Sequence, residues 1–332
     1  MSRSAENALS QQEKFTAVCH AIRTDAEACD LKTSLFCLAS VRSYHLGSDL
    51  KPIPPTFATP GDVDIESVVA VLKKIPTLQE VLEKTDNRPE KEVVDFLHWL
   101  LVELPDPQVT RIDPIDARHV LEQFNWEKRE LRPNYIFRLD FSPDSIAERR
   151  FQEFASEFPT KYAFHGSRTH NFHSILNFGL AQHLNKRSAF GEGIYLSSDL
   201  SVSISYSPSE ATWTHSRLGK SISCVALCEY AEHPTHVKCH EAKNSKIPKN
   251  IMVVSNNEII RVRYLLVYGR KPRKTAQNAE RSVMTWLMNH KATVLIISYA
   301  FLLLAVNLTT SSNSLWSSVL NMAKRFLPSC FQ

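Results

Sequence analysis

Residues 162–167 read Tyr162-Ala163-Phe164-His165-Gly166-Ser167, and residues 190–196 read Phe190-Gly191-Glu192-Gly193-Ile194-Tyr195-Leu196. Each is a short β-like run that meets glycine at one end, so each is expected to be a strand joined to a tight turn. The first closes on a histidine, a glycine and a small hydroxyl residue. The second sets two glycines ahead of a tyrosine, which lets backbone pass close to a ligand and puts an aromatic ring at a strand start. The chain has only 8 glycines, and four of them are Gly166, Gly179, Gly191 and Gly193. Taken singly, either motif is as well explained by a surface turn.

The same β-like character extends on both sides. Residues 134–141 alternate as a strand, 143–158 read as a helix, and further strands are expected at 193–198, 221–230, 251–255 and 261–268. Short helices fall at 171–177 and 200–206. Strands with few helices between them predict an α+β domain with a mixed sheet, not a doubly wound one. Upstream the pattern is helical over 5–44, 64–84, 90–103 and 113–126, and Pro52, Pro54, Pro55 and Pro60 mark a loop over 47–61. That segment shows no catalytic constellation and reads as an all-α bundle packing on or regulating the rest. The expected division is a helical domain at 1–130, the sheet domain at 131–270, a basic linker at 271–290, a membrane span at 291–309 and a short tail at 310–332.

The span rests on 292–308, ATVLIISYAFLLLAVNL, which has no charged residue and no polar face. It approaches the roughly 20 apolar residues that cross a bilayer. Arg270, Lys271, Arg273, Lys274, Arg281 and Lys291 precede it, whereas Lys324 and Arg325 follow. That asymmetry puts the N-terminal side in the cytosol. A tail anchor in the endoplasmic reticulum membrane is expected, with 310–332 in the lumen and 316–327 as a surface-lying helix. The opening residues carry no long apolar run, so no secretory signal is expected. A net charge of +4 is mild and demands no nucleic-acid partner. Seven cysteines without a tight spacing read as reduced thiols. Cys228, His233, His236, Cys239 and His240 cluster in sequence, but their spacing fits no familiar zinc pattern, and no metal is expected.

Together, His165-Gly166-Ser167, Gly191-Glu192-Gly193-Ile194-Tyr195 and Val262-Arg263-Tyr264-Leu265-Leu266 resemble the catalytic domain of the poly(ADP-ribose) polymerase family, the diphtheria-toxin-like ADP-ribosyltransferases. The resemblance covers about 132–270. With the helical start and the apolar span, the chain looks like the tail-anchored endoplasmic-reticulum member of that family. The resemblance implies an enzyme that breaks the nicotinamide–ribose bond of NAD, used as substrate, through an oxocarbenium-like transition state. His165 would bond the adenosine ribose, Gly166 would pair its backbone with the nicotinamide carboxamide, and Ser167 would lie near the adenosine ribose. Tyr195 and Tyr206 would sandwich the nicotinamide, and Ser203 would add a bond to the carboxamide. Lys186 and Arg187 would lie near the pyrophosphate.

Elongating members carry a glutamate on the strand before the closing one. Counting back from residues 262–266, that position is Ile251, which can neither accept a proton nor polarise a hydroxyl. The triad thus reads His165, Tyr195, Ile251, a pattern that implies transfer of a single ADP-ribose. Acceptor proteins would sit on the cytosolic side, with acidic side chains the first expectation, the protein itself among the acceptors, and Glu258 facing them. A role in membrane-stress signalling is an attractive extension. The competing readings are a membrane-tethered NAD-binding scaffold, an RNA 2′-phosphotransferase, which needs more arginines than Arg168 and Arg187, and a polymer-forming enzyme, which Ile251 disfavours.

Overall fold

The computed structural model describes residues 9–47, 50–59, 62–83, 88–104, 106–116, 118–122, 131–182, 190–239 and 247–270. These belong to one compact unit, Met1–Lys271. The linker, span and tail expected from 271 onward lie outside the described residues. Among the described residues no helix is long and apolar enough to cross a membrane.

The chain opens with α1 (Gln11–Thr24), started by a capping box in which Ser10 and Glu13 satisfy each other's backbone N–H groups. The helical pattern expected over 5–44 is two helices, divided at Asp25. One Asp25 oxygen caps α2 (Ala26–Leu46) by accepting from Ala28 N at 2.8 Å, and the other accepts from Arg111 N at 2.6 Å. A small ribbon, β1 (Ala58–Thr59) and β2 (Asp62–Val63), leads to α3 (Ile65–Lys74), α4 (Leu78–Glu83) and α5 (Lys91–His98), which runs into a π-helical turn at Trp99–Glu103. Then come β3 (Gln108–Ile112), α6 (Arg118–Leu121), β4 (Tyr135–Asp140), α7 (Ile146–Glu157), β5 (Thr160–Gly166), α8 (Phe172–Phe178), β6 (Ile194–Ser197) and α9 (Leu200–Ser205). The remaining strands are β7 (Glu210–Ala211), β8 (Ser221–Ala231), β9 (Val237–Lys238), β10 (Ile251–Val254) and β11 (Ile260–Arg270).

The large sheet runs β3-β4-β11-β8-β5-β6-β10-β9, with β7 beside β8. A mixed sheet was expected, but every pairing among the described strands is antiparallel. β3 was also not expected, and it puts a strand of this sheet upstream of residue 130. Within the described residues the helix expected over 113–126 is the single turn α6. Ile222 to Cys228 of β8 are all buried, because both faces of the sheet are covered. α2 and α8 pack on one face, where Leu31, Leu35, Phe172 and Leu176 meet Cys224, Ala226 and Cys228. α6 and α9 close the other, with Leu121 and Leu200 against Val225 and Leu227.

α2 serves two cores. Ala28, Leu31, Leu35 and Leu38 join the sheet core, while Cys29, Phe36, Cys37 and Ala39 join the core of α1, α3, α4 and α5. The stretch of α2 from Ala28 to Ser40 lies inside the protein and must also satisfy its polar residues. Asp30, fully buried, accepts from Trp213 Nε1 at 2.8 Å, from Arg217 N and from Ser34 Oγ. His173 of α8 donates Nε2–H to Pro52 O at 2.8 Å and sits edge-on to Phe36.

Candidate active site

The site lies where the sheet parts. β5 pairs with β8 through all seven of its residues, and β6 pairs with β10 through all four of its own. Between β5 and β6 the one pairing among the described residues is Phe164 with Ser197. Beyond it, toward Gly166 and Tyr195, no further ladder pairing joins the two strands among the described residues.

His165 and Tyr195 bridge that opening. His165 Nδ1 lies 2.9 Å from Tyr195 O. A carbonyl only accepts, so Nδ1 carries the proton and Nε2 is an acceptor with no bond to a described residue. Burial holds the His165 pKa below the ordinary histidine value, against the opposing pull of the Tyr195 carbonyl, so the ring is neutral near pH 7. The Tyr195 hydroxyl receives Phe190 N and donates to Gly191 O, both at 2.8 Å. It thereby ties the Gly-x-Gly turn to the strand start. A Cβ on Gly193 would meet Val253 Cγ1 at 2.6 Å and Val254 O at 2.8 Å, so that glycine lets the turn lie flush on β10.

Ile251 stands opposite Ser197, and Tyr195 opposite Val253. Two-residue periodicity puts Ile251 and Tyr195 on the same face of adjacent strands, as diagonal neighbours. His165, Tyr195 and Ile251 thus occupy three consecutive strands, β5, β6 and β10. The candidate triad position next to Tyr195 is apolar.

Gly166 has a different reason to be glycine than close approach of a ligand. A Cβ there would meet Ser203 O at 1.9 Å, so it is α9 that presses on the strand end. Ser203, buried in α9, donates Oγ–H to Phe164 O at 3.1 Å. Its hydrogen is committed, and toward a ligand it can only accept. Tyr206 follows at the end of α9 with its residue 63% exposed, an open ring surface. Ser167 donates its N–H to Ser207 Oγ at 3.2 Å and accepts from Asn171 Nδ2 at 2.9 Å, leaving its own O–H to donate. Lys186 and Arg187 lie outside the described residues. Glu258 is ion-paired with Arg150 of α7, so its carboxylate is already engaged. Among the described residues no three His, Cys, Asp or Glu side chains form a metal-holding group; His240 lies outside them.

Sequence reading did not find Asn171, Ser207, His170 or Glu210. Their partners are 40 residues away for Ser207 and Glu210, and no local pattern announces such contacts. Asn171 at four residues from Ser167 was the one local spacing that could have been read.

Comparison with known proteins agrees with this geometry. A profile described as the poly(ADP-ribose) polymerase catalytic domain matches residues 106–247, and one described as the ARTD15 N-terminal domain matches 20–101. The chain belongs to the poly(ADP-ribose) polymerase family. Protein mono-ADP-ribosyltransferase PARP16 of Homo sapiens is 38% identical over 330 residues, covering 91% of this chain and 96% of the relative. Its Mus musculus counterpart is 37% identical over 339 residues, covering 93% and 99%. Protein mono-ADP-ribosyltransferase PARP8 of Mus musculus is 24% identical over 296 residues, covering 74% of this chain and 32% of the relative. Protein mono-ADP-ribosyltransferase is the enzyme class of this chain.

Proposed function

We propose that the protein transfers one ADP-ribose unit from NAD to acceptor side chains, acidic ones first and its own among them, and releases nicotinamide. The observation that carries this is the His165–Tyr195 bridge at the parting of β5 and β6, with apolar Ile251 on the next strand. In this reading His165 Nε2 accepts from an adenosine ribose hydroxyl. Ser167 donates nearby. Gly166 offers its backbone to the carboxamide, and Ser203 accepts from the carboxamide NH₂. Tyr195 and Tyr206 flank the ring, a contact worth roughly 0.5–1.5 kcal/mol beyond burial. Ile251 supplies no base, so the acceptor must bring a nucleophile that is already reactive, as an ionised carboxylate is. The apolar run at 292–308 and the basic residues before it support an anchor through 291–309 in the endoplasmic reticulum bilayer, with the catalytic part cytosolic and 310–332 lumenal. Such a placement would suit a reporter of membrane stress.

The test is intact mass of the full chain in detergent after incubation with NAD, beside His165→Ala and Tyr195→Ala. Single additions of ADP-ribose per site, lost in both variants, are expected. Long ladders would overturn the assignment of Ile251. NAD binding without transfer would favour a membrane-tethered scaffold.

A further inference from the structure

The turn at 167–171 and the segment at 207–210 are zipped together. Ser167 N donates to Ser207 Oγ at 3.2 Å, and the Thr169 hydroxyl lies 3.4 Å from both Pro208 O and Ile222 O, between which its one hydrogen is shared. Glu210 closes the row. It accepts from His170 N at 2.9 Å and lies 2.9 Å from His170 Nδ1, with Arg168 Nη1 at 3.9 Å. Both partners are largely buried: the Glu210 side chain is 18% exposed and the His170 side chain 13%. Burial opposes ionisation of Glu210, but the His170 bonds and nearby Arg168 outweigh it and hold the carboxyl below the usual range. Among the described residues, the carboxylate's hydrogen bonds and ion pairs go to Arg168 and His170 alone.

The two zipped segments carry opposite ends of the candidate donor site. Ser167 and Asn171 belong to the turn, while Ser203 and Tyr206 precede Ser207 on the other segment. This row of bonds holds the spacing between these groups together with the Ser203–Phe164 bond, and Glu210 is the row's one charge-assisted member, the strongest kind. We propose that Glu210 is a positioning residue for the donor: by holding His170 and Arg168 it sets the adenosine-side turn at the right distance from the nicotinamide-side wall. This deepens the reading of His165, Ser167 and Tyr206 as an NAD site and rests on it. A dinucleotide held at both ends is sensitive to that distance, whereas the bond-breaking step is not touched by Glu210.

The experiment is steady-state kinetics on the full chain, varying NAD. Glu210→Ala should raise KM for NAD about tenfold, the loss of one charge-assisted bond's worth of positioning, at unchanged kcat. Glu210→Gln should recover part of that, because its amide oxygen still accepts from His170 N. Inhibition by ADP-ribose should weaken in step with KM, while inhibition by nicotinamide stays as in the parent. An unchanged KM, or a falling kcat at unchanged KM as an inactive fraction would give, overturns the inference. Where Glu210→Ala does not fold, Glu210→Gln and His170→Ala read the same split. A parent chain that turns over NAD beside variants with unaltered KM removes this inference alone; a parent chain that neither binds nor turns over NAD removes the donor reading with it.

Discussion

His165 donates from Nδ1 to the main-chain carbonyl of Tyr195 at 2.9 Å, and this bond spans the gap between two strands that have otherwise stopped pairing. It fixes the ring's tautomer, its plane and the direction of Nε2 at once. Replacing His165 by alanine removes both the bridge and the acceptor at the gap. A loss of about 10- to 100-fold in kcat/KM is expected, the range for one or two hydrogen bonds at a site. His165→Gln keeps a donor and an acceptor on a looser side chain and should fall between. Rates equal to the parent in His165→Ala would remove the histidine from the site.

Gly166→Ala puts a methyl group 1.9 Å from Ser203 O. Nothing at that distance is tolerated, so α9 must move off the strand end, breaking the Ser203–Phe164 bond at 3.1 Å as it goes. Overpacking of this kind costs about 1–3 kcal/mol. The variant should melt several degrees lower and lose transfer, read by thermal denaturation and by incorporation of labelled ADP-ribose. A variant that melts with the parent would mean α9 is free to shift.

His173 gives stability a pH dependence. Burial pushes its pKa down from 6.5 to about 4, only partly countered by the bond to Pro52 O. Above pH 6.5 neither folded nor unfolded chain protonates the ring, and its contribution is complete. Between pH 6.5 and 4 the unfolded chain takes up a proton that the folded one refuses, so stability falls with pH by up to about 3 kcal/mol. Below pH 4 the slope ends. Denaturant titrations at steps from pH 7.5 to 4 should show this slope, and His173→Gln, which keeps a donor for Pro52 O, should remove most of it. His165, also depressed by burial, leaves a remainder of the same sign.

The thiols should sort by burial. Cys29 and Cys37 are pushed up to about 12, and Cys224 and Cys228 are raised still further by complete burial in β8. Thiolate is the reactive form, so these four should resist iodoacetamide at pH 8 until the protein unfolds. Cys239, partly exposed, should label first among the described cysteines. Peptide mass mapping after short exposure reads the order. Early labelling of Cys224 or Cys228 would show that β8 opens readily.

The strands of the site were readable in the sequence because β5, β6, β10 and β11 are apolar runs punctuated by glycine, asparagine or proline. Their chemistry was readable because His165, Gly193 and Tyr195 sit at the ends of those runs. β3 was not, since Gln108, Thr110 and Arg111 dilute its alternation and its identity comes from pairing with β4. The break at Asp25 hid inside a helical pattern, because its competing use as a cap and as acceptor for Arg111 N depends on a strand 86 residues away. Tyr195 was read as a ring against a ligand. That its hydroxyl also staples the preceding turn follows from geometry that no spacing rule contains. Nor does composition show why Gly166 is bare, since the atom it avoids belongs to Ser203.

The helix α2 has one side in each core, and this makes the helical and sheet halves a single cooperative body. Neither half can be lifted out without baring a long apolar stripe, so heat should melt the two in one transition. A chimera that grafts this sheet onto a foreign N-terminal region would have to carry α2 across the seam. The seam to respect is therefore inside the helical region, and not at the first residue of the sheet.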